Sequence, residues 1–135
     1  FNIMKFIIIC FICFNFCLAQ KVVPFTIDIK PRVIDNAKVI VNIEVINNVG
    51  RPVDYLEGFL SEYNNENTLM EEKRIVLVYH YEPALQSGFA TTKTSLYDLR
   101  FDIPSSYEFN ISKVKFAGDN RVFAWHPKSG FIRID

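Results

Sequence analysis

Alternation of period two runs through most of this chain and leaves little room for anything but strands. Val23, Phe25, Ile27 and Ile29 alternate with Pro24, Thr26, Asp28 and Lys30, and Val39, Val41, Ile43 and Val45 repeat the pattern around Asn42 and Glu44. Successive side chains of a strand point to opposite faces, so each run offers one face to a core and one to water. Composition agrees: of the 116 residues after position 19, 43 are Val, Ile, Thr, Phe, Tyr or Trp, and only 12 are Ala or Leu. That bias favours a pleated surface and starves helices.

Turn chemistry divides the pattern into short pieces. Pro31, which cannot donate to a ladder in mid-sheet, is expected to separate the first two strands. The run 47–52 (Asn-Asn-Val-Gly-Arg-Pro) is a turn by composition, and 53–63 reads as a third strand. There Tyr55, Phe59 and Tyr63 share one parity and Leu56 and Leu60 the other, so a bulge at Gly58 is expected to switch faces. A fourth strand is expected over 74–82, with Ile75, Leu77, Tyr79 and Tyr81 on one face. A helical turn around 67–73, capped through Thr68, Glu71 and Glu72, is the one helical alternative. Further extended pieces follow at 89–94, 97–103, 107–117, 121–126 and 131–134, with Gly118-Asp119-Asn120 as a tight hairpin. Seven to nine short strands with turns every 8 to 12 residues predict an all-β fold, a two-sheet antiparallel sandwich of immunoglobulin-like type.

The first 19 residues have a different character. Met4-Lys5 gives a basic start, Phe6 to Leu18 is apolar apart from Asn15, and Ala19 precedes Gln20. These are the three parts of a secretory signal, and the apolar stretch is shorter than the roughly 20 residues that span a bilayer. The reading is a signal peptide over 1–19 that starts at Met4, cleavage before Gln20, and a single domain over 20–135 that is secreted or periplasmic, with no membrane span after cleavage. All three cysteines, Cys10, Cys13 and Cys17, fall inside the signal, so the Cys10–Cys13 spacing carries no redox or metal chemistry. A domain without cysteine suits an oxidising compartment because nothing in it can mispair. After position 19 the chain holds 14 Lys or Arg against 15 Asp or Glu. That balance removes the usual argument for a nucleic-acid partner, which depends on a surplus of positive charge.

The strand ending at Asn47, the Gly50 turn, the aromatic-rich strand ending in Tyr63-Asn64, and a later loop carrying Leu85 and Gly88 resemble the small immunoglobulin-like domains of exported bacterial proteins, the FxLYD type in particular. The resemblance covers roughly residues 39 to 92. It implies an immunoglobulin-like fold and supplies no catalytic residue.

Candidate chemistry is sparse. His80 and His126 are the only histidines and have no partner at ligand spacing, so neither a metal nor another cofactor is expected. Glu71 and Glu72 are adjacent and point apart on a strand. Asp98, Arg100 and Asp102 share a face that reads as solvated charges of alternating sign. Gln86-Ser87-Gly88 lacks the nucleophile elbow of serine hydrolases, and Asn110-Ile-Ser112 matches a glycosylation acceptor expected to stay unmodified. Tyr55, Tyr63, Tyr79, Tyr81, Trp125 and His126 are the candidate binding residues, with a core layer as the first expectation for the aromatic ones. The function expected is a non-catalytic exported interaction module with a protein or glycan partner. The alternatives are a small carbohydrate- or ligand-binding domain that uses exposed aromatics, and a hydrolase with an unrecognised site.

Overall fold

The computed structural model describes residues 23–100 and 105–135. The signal segment with its cleavage position, and Asp102, lie outside the described residues. Eight strands follow in order: β1 (Phe25–Ile34), β2 (Lys38–Asn47), β3 (Val53–Tyr63), β4 (Leu69–Val78), β5 (Ala90–Asp98), β6 (Ser106–Phe116), β7 (Phe123–His126) and β8 (Gly130–Arg133). They form two antiparallel sheets, β1-β2-β5 and β4-β3-β6-β7-β8. The chain changes sheet after β2, after β4 and after β5, the crossing pattern of an immunoglobulin-like sandwich.

The predicted face of β2 forms the centre of the core. Val39, Val41, Ile43 and Val45 are buried against Leu56, Leu60, Ile111 and Val114 of the other sheet. Each such side chain contributes about 1.5–3 kcal/mol through removal from water. Aromatic residues close one end: Phe25 meets Trp125 edge-on at 5.8 Å, and Phe116, Phe123 and Phe131 pack mutually at 5.6–6.2 Å.

Several boundaries differ from the sequence expectation. Pro31 does not end β1 but pairs with Val41 inside it. β1 is an edge strand, so a missing N–H there costs no ladder bond. The turn comes at Asp35 and Asn36, both in the left-handed region at φ 51° and 52°, a conformation that Asn and Asp tolerate better than most residues. Residues 69–73 belong to strand β4, not to a helical turn, and that strand stops at Val78, so Tyr79 to Glu82 form a turn closed by the Glu82 N–H donating to the Tyr79 carbonyl at 3.0 Å. The pieces at 89–94 and 97–98 are one strand, β5.

The face switch in β3 has another origin than Gly58. Its register against β6 slips between Val53 and Tyr55, which makes Asp54 the extra residue, and from Leu56 onward the even positions face the core. A second slip, beside Gly58, places the extra residue at Ser112 of β6. Gly58 serves packing: a Cβ there would lie 2.5 Å from the Asn110 carbonyl oxygen and would strike the Phe109 ring.

Asn47 knots the loops at one end. Its side-chain amide donates to the carbonyls of Arg51 and Leu85 at 2.7 and 3.0 Å, and its Oδ1 accepts the Val49 N–H at 3.0 Å. Its backbone carbonyl accepts from Gly88 at 2.6 Å, where a φ of +84° calls for glycine. Asn64 does similar work after β3, where its Oδ1 accepts the N–H groups of Glu66 and Thr68 at 2.9 Å each.

Candidate functional site

The two sheets present unlike outer faces. On β3, Tyr55, Glu57, Phe59, Ser61 and Tyr63 point away from the core, where alternation predicts a solvated row. Yet Glu57 is only 2% exposed. Its carboxylate accepts from Arg74 Nε of β4 on one side and faces Lys113 Nζ of β6 at 3.9 Å on the other. The Arg74 guanidinium also donates to the Tyr55 hydroxyl at 3.3 Å. A central strand with long cationic side chains on both neighbours explains the burial: their aliphatic stems cover the carboxylate while their heads stay wet.

Beside Tyr55 the same face holds a groove of about 430 Å³, lined by Tyr55, His80, Lys113, Lys115, Val122, Ile134 and Asp135. Strand pairing produces it. Lys115 is the β6 neighbour of Tyr55, Val78 pairs with the adjacent Leu56 and delivers His80 at its rim, and the Ile134 N–H donates to the Val122 carbonyl at 2.9 Å. Next to His80, the turn after β4 raises an aromatic knuckle. Tyr79 and Tyr81 stack at 5.1 Å with 19° between their planes, and the His80 ring meets Tyr81 edge-on at 5.4 Å. The Tyr79 backbone N–H donates to Glu82 Oε1 at 3.1 Å, which fixes the turn.

The six residues singled out in the sequence therefore separate. Tyr55, Tyr79 and Tyr81 gather at one end of the five-stranded sheet. Tyr63 shares the outer face with Tyr55, but eight residues of strand, about 26 Å at roughly 3.3 Å per residue, divide them. Trp125 is half-buried against Phe25, and His126, the exposed last residue of β7, accepts the Lys128 N–H at its Nδ1 at 3.1 Å. The core expectation fails for the β4 tyrosines, because the strand ends before them and Tyr81 is 73% exposed. Their rings stack face to face, so they offer the one free face of Tyr81 and not a flat strip.

His80, Lys113, Lys115, Arg74 and Glu57 were not singled out for this site. The only local sign was a Glu in the middle of a strand whose other residues are mostly apolar or aromatic. Its partners come from strands that sequence spacing does not bring together.

A second buried carboxylate lies inside the sandwich at the opposite end of β3. Glu62 is 0% exposed and accepts from Arg100 Nε at 2.8 Å and from the Tyr107 hydroxyl at 3.2 Å. Arg100 also reaches Glu71 at 3.5 Å, so it braces the two sheets and does not lie on the solvated face expected for Asp98, Arg100 and Asp102. Burial, then the nearby Glu62 charge, pushes the Tyr107 hydroxyl up to about 12. Tyr97, which donates to the Leu60 carbonyl at 2.8 Å, is raised by burial first and by Glu71 and Glu62 next. No buried side-chain polar atom of this cluster lacks a hydrogen-bond partner, so its chemistry is that of a brace. Glu71 and Glu72 diverge, Glu71 toward Arg100 and Glu72 toward the Ser61 hydroxyl at 3.0 Å. Among the described residues no group of three His, Cys, Asp or Glu stands close enough to hold a metal ion, and no helix is long and apolar enough to cross a membrane.

Comparison with known proteins adds little to this geometry. No family profile and no curated protein matches the chain. The chain is similar to a crystal structure of a protein described as ApaA from Bordetella pertussis, at 15% identity and a TM-score of 0.48, over 82% of this chain and 88% of that one.

Proposed function

We propose that this protein is an exported, non-catalytic binding module, secreted or periplasmic, and that it engages its partner through the outer face of the five-stranded sheet at the Tyr55 end. The observation that carries the reading is the buried Glu57 on an outward-facing row. A carboxylate held there fixes Arg74 and Lys113 beside an aromatic residue and a groove, an arrangement that folding alone does not require of a solvated face. The knot of Asn47 with Leu85 and Gly88, and the positive φ of Gly50 in the turn beside it, support membership among the small immunoglobulin-like domains of the FxLYD type. Binding asks less of a surface than catalysis does, since a reaction needs convergent groups with tuned proton affinities, and no set of such groups assembles among the described residues. A carbohydrate- or small-ligand-binding reading is favoured by the exposed ring of Tyr81 next to the groove.

The test is a screen of the purified protein against polysaccharides and peptides, run beside esterase, glycosidase, peptidase and phosphatase substrates with and without EDTA. A partner whose binding is lost in Tyr55→Ala and kept in Thr94→Ala supports the reading. Turnover that a single Asp, Glu, Ser or His substitution abolishes without unfolding overturns it.

A further inference from the structure

The chemistry of the Tyr55 groove narrows its ligand. Lys113 and Lys115 bring two ammonium groups to its wall, and each makes a long ion pair that leaves its hydrogen-bond donors open. The nearest carboxylate oxygens, on Glu57 and Asp54, stand at 3.9 Å in both cases, beyond the roughly 2.7–3.2 Å of a hydrogen bond. Arg121 and Arg133 are held more closely, by Asp119 and Asp135 at 2.7 and 2.8 Å, and the Arg133 pair engages the Asp135 carboxylate that also lines the groove. Depth matters as well as distance. Glu57 is sunk, while Arg74 and Lys113 keep 60% and 53% of their side chains in solvent, so the cluster turns its negative end inward and its positive ends outward.

We infer that the groove takes an acidic saccharide, whose carboxylate pairs with Lys113 and Lys115 while one ring face lies on Tyr55 and the apolar wall of Val122 and Ile134. The inference rests on the binding-module reading and narrows it from a surface to a ligand class. A sugar ring carries C–H groups on its face and hydroxyls at its rim, which suits an apolar floor edged by polar groups. Lysine ammoniums act as compact charges without the fixed fork of arginine, so they accept a carboxylate over a range of orientations. A neutral sugar would offer these ammonium groups hydroxyl acceptors but no opposite charge, a weaker return for their lost water. The volume of about 430 Å³ falls in the usual range for small-ligand sites and admits a short oligosaccharide.

The experiment is titration of the isotopically labelled protein with trigalacturonate, with maltotriose and with inorganic phosphate, followed by amide shifts at two salt concentrations. Trigalacturonate is expected to bind about tenfold or more tightly than either of the others, a difference of about 1.4 kcal/mol, and to weaken several-fold as salt rises because the contact is exposed. Lys113→Gln and Lys115→Gln should each lower that affinity, the second with the melting temperature unchanged because Lys115 balances no buried carboxylate. Equal affinity for maltotriose, lost in Tyr55→Leu, overturns the acidic ligand and leaves the binding-module reading standing. Equal affinity for phosphate reduces the site to a simple anion contact and overturns the saccharide. Binding of none of the three overturns this inference alone, because the screen above judges the broader reading.

Discussion

The outer face of the three-stranded sheet and the outer face of the five-stranded sheet obey different rules, although the same alternation writes both. On the first, polar groups find short-range partners across neighbouring strands. The Thr94 hydroxyl donates to Asn42 Oδ1 at 2.8 Å, Asn48 donates to the Thr26 hydroxyl at 2.7 Å, and Lys38 pairs with Asp98, all exposed. On the second, a carboxylate is buried, two lysines make only long ion pairs at 3.9 Å, and aromatic rings reach solvent. A face that only has to be wet satisfies itself. The five-stranded face keeps charge and aromatic surface in reserve, and the difference directs attention there.

The largest expected effect tests the alternation common to both faces. Val41→Asp should unfold the domain, because an unpaired carboxylate at the centre of the core costs several kcal/mol, while Asn42→Asp, one residue away on the wet face, should shift the thermal midpoint little. Equal tolerance at both positions would mean that the strand phase is wrong. Next comes the contrast between the two ion pairs. Arg74→Met strips Glu57 of its hydrogen-bonded partner and should cost about 3 kcal/mol in denaturant titration. Lys38→Met removes the exposed partner of Asp98 and should cost under about 1 kcal/mol. Similar losses would erase the distinction between the faces.

Gly58→Ala should destabilise by about 1–3 kcal/mol, since the new methyl meets the Asn110 carbonyl, which a side-chain rotation cannot clear. Alkaline titration gives a smaller effect and probes the interior brace. Tyr97 and Tyr107 bind their protons more tightly in the folded state than the ordinary tyrosine value of about 10. The stability they contribute is fully present below pH 10 and is lost as pH rises through about 12 for Tyr107 and at still higher pH for Tyr97. Tyrosinate absorbance should therefore show a late phase for these two, above the ordinary tyrosine value, together with loss of the near-ultraviolet signal. Absence of a late phase while the protein remains folded would contradict the burial of this pair.

Much of the fold could be read from the sequence, and the reasons it could not be read throughout are local against nonlocal. Val39 to Val45 are unambiguous because strict alternation leaves one assignment. Pro31 misleads because the rule against proline in a strand depends on whether the strand is central or at an edge, and β1 becomes an edge only through the pairing of β2 with β5. Tyr79 and Tyr81 continue the alternation of β4 beyond its end, so they look like strand residues although they lie in a turn. The buried carboxylates were hidden for the same kind of reason. Glu57 takes its hydrogen bond from a residue 17 positions away, and Glu62 from one 38 positions away. Of the site itself, the sequence offered Tyr55, Tyr79 and Tyr81 but not the lysines and the histidine that tertiary pairing sets beside them.

Recognition at the Tyr55 end of the five-stranded sheet is the proposal on which the ligand class depends. Amide shift mapping of the labelled protein with any partner that the binding screen yields tests it most directly. Shifts concentrated at Tyr55, His80, Lys113 and Lys115, with Asn42, Thr92 and Thr94 unmoved, are the predicted result. Shifts concentrated on Asn42, Thr92 and Thr94, with the groove residues unmoved, would contradict it.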